Sequence, residues 1–110
     1  MQITPRAGVF QVKNHANGKI LLGSSVNVKA TATRHRAELK LGSHRNQELQ
    51  QDWAKYGPDQ FSFDELEYLE EKTASTYDRQ KDLAALEKRW LRKLQPYADK
   101  GYNRKPRKKP

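Results

Sequence analysis

A carboxylate at Glu87 is the first side chain whose type and position suggest chemistry. Glu87 lies three residues before Trp90, and the stretch that follows it is strongly basic. Oxygen atoms of carboxylates are the ligands that hard divalent cations prefer. A helix-surface ion pair, for example with Arg92, is the simpler interpretation when this residue is taken alone. Both interpretations stay open at this point.

Two further candidates are Arg34 and His35, which lie one helical turn beyond Thr31 and can share its face. His35 can act as a base or orient a phosphate, and it can equally be a half-buried helix residue. Arg34 or Lys29 can neutralise charge that develops on a phosphate during a reaction. A solvated or phosphate-binding arginine is the plainer interpretation of Arg34.

The charge distribution suggests a polyanionic partner. The chain of 110 residues has a net charge of +9. Residues 1–45 hold eight Lys/Arg against one acid, residues 46–87 hold four against eleven, and residues 88–110 hold ten against one. Two basic segments that fold onto the same side would form a face for nucleic acid. The alternative is a solvated basic surface with a basic tail, and a weaker one is an acidic middle segment that binds a basic protein.

Composition narrows the class of protein. The length fits a single domain, predicted here over residues 1–103, followed by a basic tail at 104–110 that is expected to be disordered. The absence of cysteine excludes disulfides and thiolate metal sites. No apolar run is long enough for a membrane span, so we expect a cytoplasmic protein without a membrane partner or a small-molecule cofactor. The oligomeric state stays open.

The first half of the chain predicts a hairpin and two helices. Apolar and polar residues alternate over 8–13, which predicts a strand with one buried face. The Asn17-Gly18 pair predicts a turn, and the return strand is predicted over 19–23. Helical spacing predicts a basic amphipathic helix over 28–41, with Gly42 as its C-cap. Asn46 is predicted to cap a second helix over 47–56.

The second half predicts a third strand and a long helix. Period-two alternation over 61–66 predicts the strand, where Phe61, Phe63 and Leu66 compete for the core face. A polar connection is expected over 70–77 and a helix over 78–94, ended by Pro96. The fold class is therefore α+β, a three-stranded, mainly antiparallel sheet flanked by helices.

Separated segments of the chain resemble the GIY-YIG endonuclease family. The segments lie at 8–10, 21–25, 49–57, 86–90 and 101–103, in the family's order and at sensible spacing. The resemblance implies the GIY-YIG fold and a nuclease that hydrolyses DNA phosphodiesters with one divalent metal, Mg²⁺ or Mn²⁺. It also implies that Glu87 is the metal ligand and that the partner is DNA.

Three residues depart from the family pattern. Phe10 and Leu21 stand where the family has its two tyrosines, and Thr31 stands where it has its catalytic arginine. Phenylalanine and leucine cannot relay a proton, and threonine cannot donate a forked, charge-assisted hydrogen bond. Loss of even one neutral donor to a transition state typically costs ~10²–10³ in rate. Whether the domain is an active enzyme is therefore left open.

Other family positions are retained. The resemblance places histidines at His35 and near His44 and a terminal asparagine at Asn103, which can line the site or close the domain. We predict catalytic roles for Glu87, His35, Arg34 and Asn103. The residues expected to contact DNA are Lys29, Arg36, His44, Arg45 and Arg89. The sequence thus predicts a GIY-YIG-type endonuclease with altered catalytic residues, with a catalytically inactive DNA-binding module as the alternative.

Overall fold

A three-stranded sheet and three helices make up the fold. The structure, a computed structural model, describes residues 6–70 and 78–105. The elements in chain order are β1 (Gly8–Asn14), β2 (Ile20–Ser25), α1 (Val28–Leu41), α2 (Gln47–Tyr56), β3 (Phe61–Tyr68) and α3 (Arg79–Leu94), with short 3₁₀ turns at Pro58–Gln60 and Ala98–Lys100. This architecture confirms the predicted α+β class.

The sheet has the order β2-β1-β3, with both pairs antiparallel. The β1–β2 hairpin turns at the predicted Asn-Gly pair, where Gly18 has a φ of 79°. That left-handed backbone conformation is accessible to glycine without steric cost. The turn is closed by the Asn14 N–H, which donates to the Lys19 carbonyl at 2.9 Å.

Both faces of the sheet are buried, which differs from the single buried face predicted for β1. Phe10 and Val12 pack with α1 and α2, whereas Val9 and Leu22 pack with Leu86 of α3. The alternation was misleading because the second face of the central strand is covered by a helix from the far end of the chain.

The third strand divides its apolar residues between the two faces. Phe61 and Phe63 pack on the α1–α2 side, and Leu66 packs on the α3 side. A register shift between β1 and β3 pairs Val9 with Glu67 and Phe10 with Glu65, which leaves Leu66 as the extra residue of a bulge.

Local signals set the helix ends. The Asn46 side chain accepts from the Leu49 N–H at 3.0 Å, and Gly42 has the left-handed conformation expected of a C-cap. Asp78, predicted as the first helical residue, is instead the N-cap of α3, and its side chain accepts from the Lys81 N–H at 3.1 Å.

Two predictions fall on parts of the chain beyond this description. Residues 71–77 of the polar connection and 106–110 of the basic tail lie outside the described residues. Among the helices that are described, none is long and apolar enough to cross a membrane.

Candidate active site

Glu87 is held against the sheet by a serine. Leu86 of α3 is buried against β1 and β2, which places the half-buried Glu87 beside the end of β2. There the Ser24 hydroxyl donates to Oε1 of Glu87. The carboxylate of Glu87 is therefore oriented by β2 and is not engaged by an ion pair with a described residue, as the helix-surface alternative required.

Thr31, which stands where the sequence resemblance calls for an arginine, has a short hydroxyl side chain. Its Oγ1 lies 2.6 Å from Oγ of Ser25, and the Ser25 oxygen also accepts from the Asn27 N–H at 2.9 Å. These bonds tie the start of α1 to the end of β2. They supply no positive charge.

Phe10 and Leu21 are packing residues. Phe10 is 4% exposed, and a Cβ built on Gly23 would lie only 2.7 Å from its Cζ atom. Leu21 packs against the same cluster. The Cζ atom, which would bear the hydroxyl of a tyrosine, therefore lies close to where a side chain at position 23 would begin.

His35 and His44 form a hydrogen-bonded pair. Nδ1 of His35 lies 2.7 Å from Nε2 of His44, and Nδ1 of His44 accepts from the Asn46 backbone N–H at 3.0 Å. A backbone N–H only donates, so Nδ1 of neutral His44 carries no hydrogen and Nε2 carries it. Nε2 of His44 therefore donates to Nδ1 of His35, which leaves the hydrogen of His35 on Nε2.

The surroundings keep both rings neutral. Burial lowers the pKa of His35. The positive charge that His44 would gain on protonation lowers this pKa further, as does Arg34, and Glu38 partly offsets these effects. Burial is also the main cause of the lowered pKa of His44, partly offset by Glu38. Arg45 lowers the pKa of both rings.

Two groups of side chains were assessed as metal ligands. The donors at the first are the Glu87 carboxylate and the Ser24 hydroxyl, hard oxygen atoms of the kind that suit Mg²⁺ or Mn²⁺ with water completing the shell. At the second, ligand atoms of His35, Glu38 and His44 lie within 4.8 Å of one another. The 2.7 Å between the two histidine nitrogens is shorter than the about 3.3 Å expected between ligands of tetrahedral zinc. The first group offers two oxygen donors of the kind that such an ion prefers, and the two histidines of the second are joined to each other by a hydrogen bond.

The residues predicted to contact DNA differ in their surroundings. Lys29, Arg34 and Arg45 are exposed and make no ion pair with another described residue. The guanidinium of Arg36 lies 4.7 Å from the centre of the Phe63 ring, and Arg89 pairs with Glu67 at 3.2 Å. Among the cations predicted to contact DNA, Lys29, Arg34 and Arg45 are therefore the most accessible to a ligand.

Asn103 is engaged with the edge of the sheet. Its side-chain amide donates to the Leu22 carbonyl at 2.9 Å and accepts from the Leu22 N–H at 2.8 Å. The Tyr102 N–H donates to Ile20 at 2.9 Å. These contacts correspond to the domain-closing role, one of the two roles left open for Asn103.

Sequence reasoning assigned no role to Ser24, Ser25 or Glu38. The two serines directly follow Gly23 in a segment that carries the family resemblance, and this was the available signal. Glu38 lies one helical turn beyond His35. Nothing in its local sequence distinguishes it from a solvated helix residue.

Two solved structures of a nuclease domain are similar to this chain. The chain resembles the catalytic domain of the homing endonuclease I-TevI, a GIY-YIG enzyme, with a TM-score of 0.67 and 27% identity over 82% of this chain and 89% of that one. A mutant of the same catalytic domain matches with a TM-score of 0.66 and 24% identity, covering 82% of this chain and 84% of the other. No family model and no curated protein matches. The predicted resemblance and fold are confirmed by these structures.

Proposed function

We propose that this domain binds DNA through the phosphate backbone and does not hydrolyse it. The observation that carries this proposal is at Thr31, where the GIY-YIG resemblance calls for an arginine. Thr31 is uncharged, and its hydroxyl is engaged with Ser25 at 2.6 Å. A site without that arginine has lost the charge that would stabilise a phosphoryl transition state.

Accessible positive charge supports binding. Lys29, Arg34 and Arg45 lie on α1 or shortly after it, exposed and without an ion pair to a described residue. Phosphate contacts of this kind provide most of the affinity of sequence-independent DNA binding. The similar solved structures are catalytic domains of a homing endonuclease, and this agrees with a nucleic-acid partner.

The tyrosine positions support the loss of hydrolysis. Phe10 and Leu21 bring apolar side chains to the core, and neither can take a proton from water. His35 offers no alternative base in the tautomer described above, because one ring nitrogen accepts from His44 and the other carries a hydrogen.

A divalent cation at Glu87 remains part of the proposal. Glu87 and Ser24 would hold Mg²⁺ or Mn²⁺, which when bound neutralises phosphate charge. Without the cation, the Glu87 carboxylate would repel DNA that approaches this face.

An altered endonuclease is the second candidate, and the retention of Glu87 favours it. In that reading Arg34, one turn beyond Thr31, replaces the missing arginine. Its exposure permits such a role. Nicking of plasmid DNA that depends on both Glu87 and Arg34 would establish this candidate and overturn the first.

Binding is tested by fluorescence anisotropy with a labelled duplex between about 50 and 200 mM salt. We expect affinity to fall steeply with salt and to depend little on sequence. Arg34→Ala and Lys29→Ala should each reduce the slope of log K against log salt by about 0.9 if each residue contacts one phosphate. Lys55→Ala on α2 is the matched control. No binding at the lowest salt would contradict the proposal.

A further inference from the structure

We infer that His44 is a positioning residue, which fixes His35 as a hydrogen-bond donor to a DNA phosphate beside Arg34 and Arg45. This inference rests on the proposed binding of DNA. It assigns His44 a role behind the contact surface, although the sequence suggested a direct DNA contact.

The direction of the hydrogen bonds follows from one backbone donor. Because the Asn46 N–H occupies Nδ1 of His44 at 3.0 Å, the hydrogen of His44 lies on Nε2 and points to Nδ1 of His35 at 2.7 Å. The remaining hydrogen of His35 lies on Nε2. This nitrogen makes no hydrogen bond to another described residue.

The backbone N–H of Asn46, which is the first donor in this series of hydrogen bonds, is held in place by the surrounding structure. Asn46 is the N-cap of α2, and its side chain also donates to the Tyr102 carbonyl at 2.8 Å. The Gln50 side chain accepts from the His44 backbone N–H at 2.9 Å and donates to the Leu39 carbonyl at 3.0 Å. With His44 only 8% exposed, its ring has little freedom to turn.

Because Phe10 stands in place of a tyrosine, the hydrogen bond between His35 and His44 becomes more important for the orientation of His35. The ring of His35 lies 5.4 Å from that of Phe10, which has no hydroxyl to offer as a hydrogen-bond partner. His44 is therefore the only side chain among the described residues with which His35 makes a hydrogen bond. The orientation of the His35 imidazole consequently depends on His44.

Two arginines and one carboxylate lie around His35. The carboxylate is that of Glu38, which has an oxygen within 4.8 Å of a nitrogen of His35 and is outnumbered by the two cations. Arg34 and Arg45 are close enough to lower the pKa of both rings, and both arginines are exposed. A neutral imidazole that donates from Nε2 can bond a phosphate oxygen together with two guanidinium groups. The same tautomer has no free lone pair, so it serves neither as a general base nor as a transition-metal ligand.

The tautomers can be measured directly in the free protein. Long-range ¹H–¹⁵N correlation spectra at about pH 8, above the ordinary histidine pKa, are expected to show Nε2–H on both His35 and His44. A hydrogen on Nδ1 of His35 would overturn the inference. So would stoichiometric binding of Zn²⁺ that shifts the signals of both rings, because coordination needs the lone pairs that this tautomer lacks.

The functional effect is tested by the affinity for a labelled duplex. His35→Ala and His44→Ala should each weaken binding by about five- to tenfold, and the double variant should be no weaker than either single variant. His44→Gln retains a donor at the position of Nε2 and is expected to restore most of the affinity. His15→Ala is the control, since His15 is exposed and bonds Ser62 at 2.8 Å.

Different results would refute the proposed function and the inference about His44. If the wild type binds DNA and His44→Ala binds equally well, with an unchanged unfolding curve, this inference is wrong and the proposed function survives. If the wild type binds no DNA, the proposed function is wrong, and the role of His35 toward phosphate is wrong with it.

Discussion

The side-chain amide of Asn103 pairs with the backbone of Leu22 through two hydrogen bonds, of 2.8 and 2.9 Å, in the way that a neighbouring strand would. The amide thus satisfies a carbonyl and an N–H on the edge of the sheet that β1 does not reach. An edge strand left open would expose these groups for pairing with other chains. Asn103 therefore protects and closes the β2 edge.

Asn103→Ala is expected to lower the free energy of unfolding by about 1–3 kcal/mol, because it removes both bonds. Urea denaturation followed by tryptophan fluorescence measures this change. Gln51→Ala, an exposed substitution on α2, is the control and should be nearly neutral. An unchanged stability of Asn103→Ala together with a loss of DNA binding would indicate that Asn103 lines the site instead.

Gly23→Ala is expected to destabilise the domain by about 1–3 kcal/mol, the usual cost of overpacking. The added methyl would lie 2.7 Å from Cζ and 3.0 Å from Cε1 of Phe10. In a Phe10→Leu background the same substitution should cost clearly less, and a double-mutant cycle from urea denaturation gives the difference. Equal costs in the two backgrounds would show that Phe10 does not lie on Gly23.

Alkaline pH should destabilise the domain through Tyr102. Burial raises the pKa of this hydroxyl, and its hydrogen bond to Asp52, of 2.7 Å, raises it further. Because the folded pKa exceeds the unfolded value of about 10, the stabilisation is complete below that pH and is lost as the pH rises above it.

The expected consequence is a smaller effect of Tyr102→Phe at high pH than at neutral pH. Urea denaturation from about pH 8 to 11 measures it, with a slope from Tyr102 of at most about 1.4 kcal/mol per pH unit. Tyr56→Phe is the control, since the Tyr56 hydroxyl bonds no described residue. A pH-independent difference between wild type and Tyr102→Phe would contradict the assignment.

Manganese should bind beside Glu87. Paramagnetic Mn²⁺ is expected to broaden the amide signals of Ser24 and Glu87 first, because their oxygen atoms form the candidate donor set. Glu87→Gln should remove this local broadening, whereas Glu48→Gln, whose carboxylate pairs with Lys19 at 2.6 Å, should leave it. Broadening centred on His44 would place the metal elsewhere.

Local signals made most of the fold predictable. The Asn17-Gly18 turn, the Asn46 cap and the Gly42 C-cap act within a few residues of their own position, and the structure has each of them. The flanking of the sheet by helices was predicted, but the burial of both faces of β1 was not, because α3 and β1 are far apart in the chain. The same holds for the bulge at Leu66, which is visible only in the pairing of two strands.

The candidate site was less predictable than the fold. Motif positions identified Glu87, His35 and His44 as polar residues of interest, but side-chain partners depend on tertiary geometry. The bond of Ser24 to Glu87 joins residues 63 positions apart, and the bond of His35 to His44 crosses the end of α1. Neither leaves a periodic or compositional signal.

The central claim is that this domain binds DNA without cutting it, and supercoiled plasmid incubated with wild type and Glu87→Ala tests it most directly. Binding appears as a mobility shift, and nicking appears as relaxed circles after the protein is removed. In Mg²⁺ or Mn²⁺, the account predicts a shift and no relaxed circles above the protein-free control, even at saturating protein. Relaxed circles formed by wild type and not by Glu87→Ala would contradict it and identify an active nuclease.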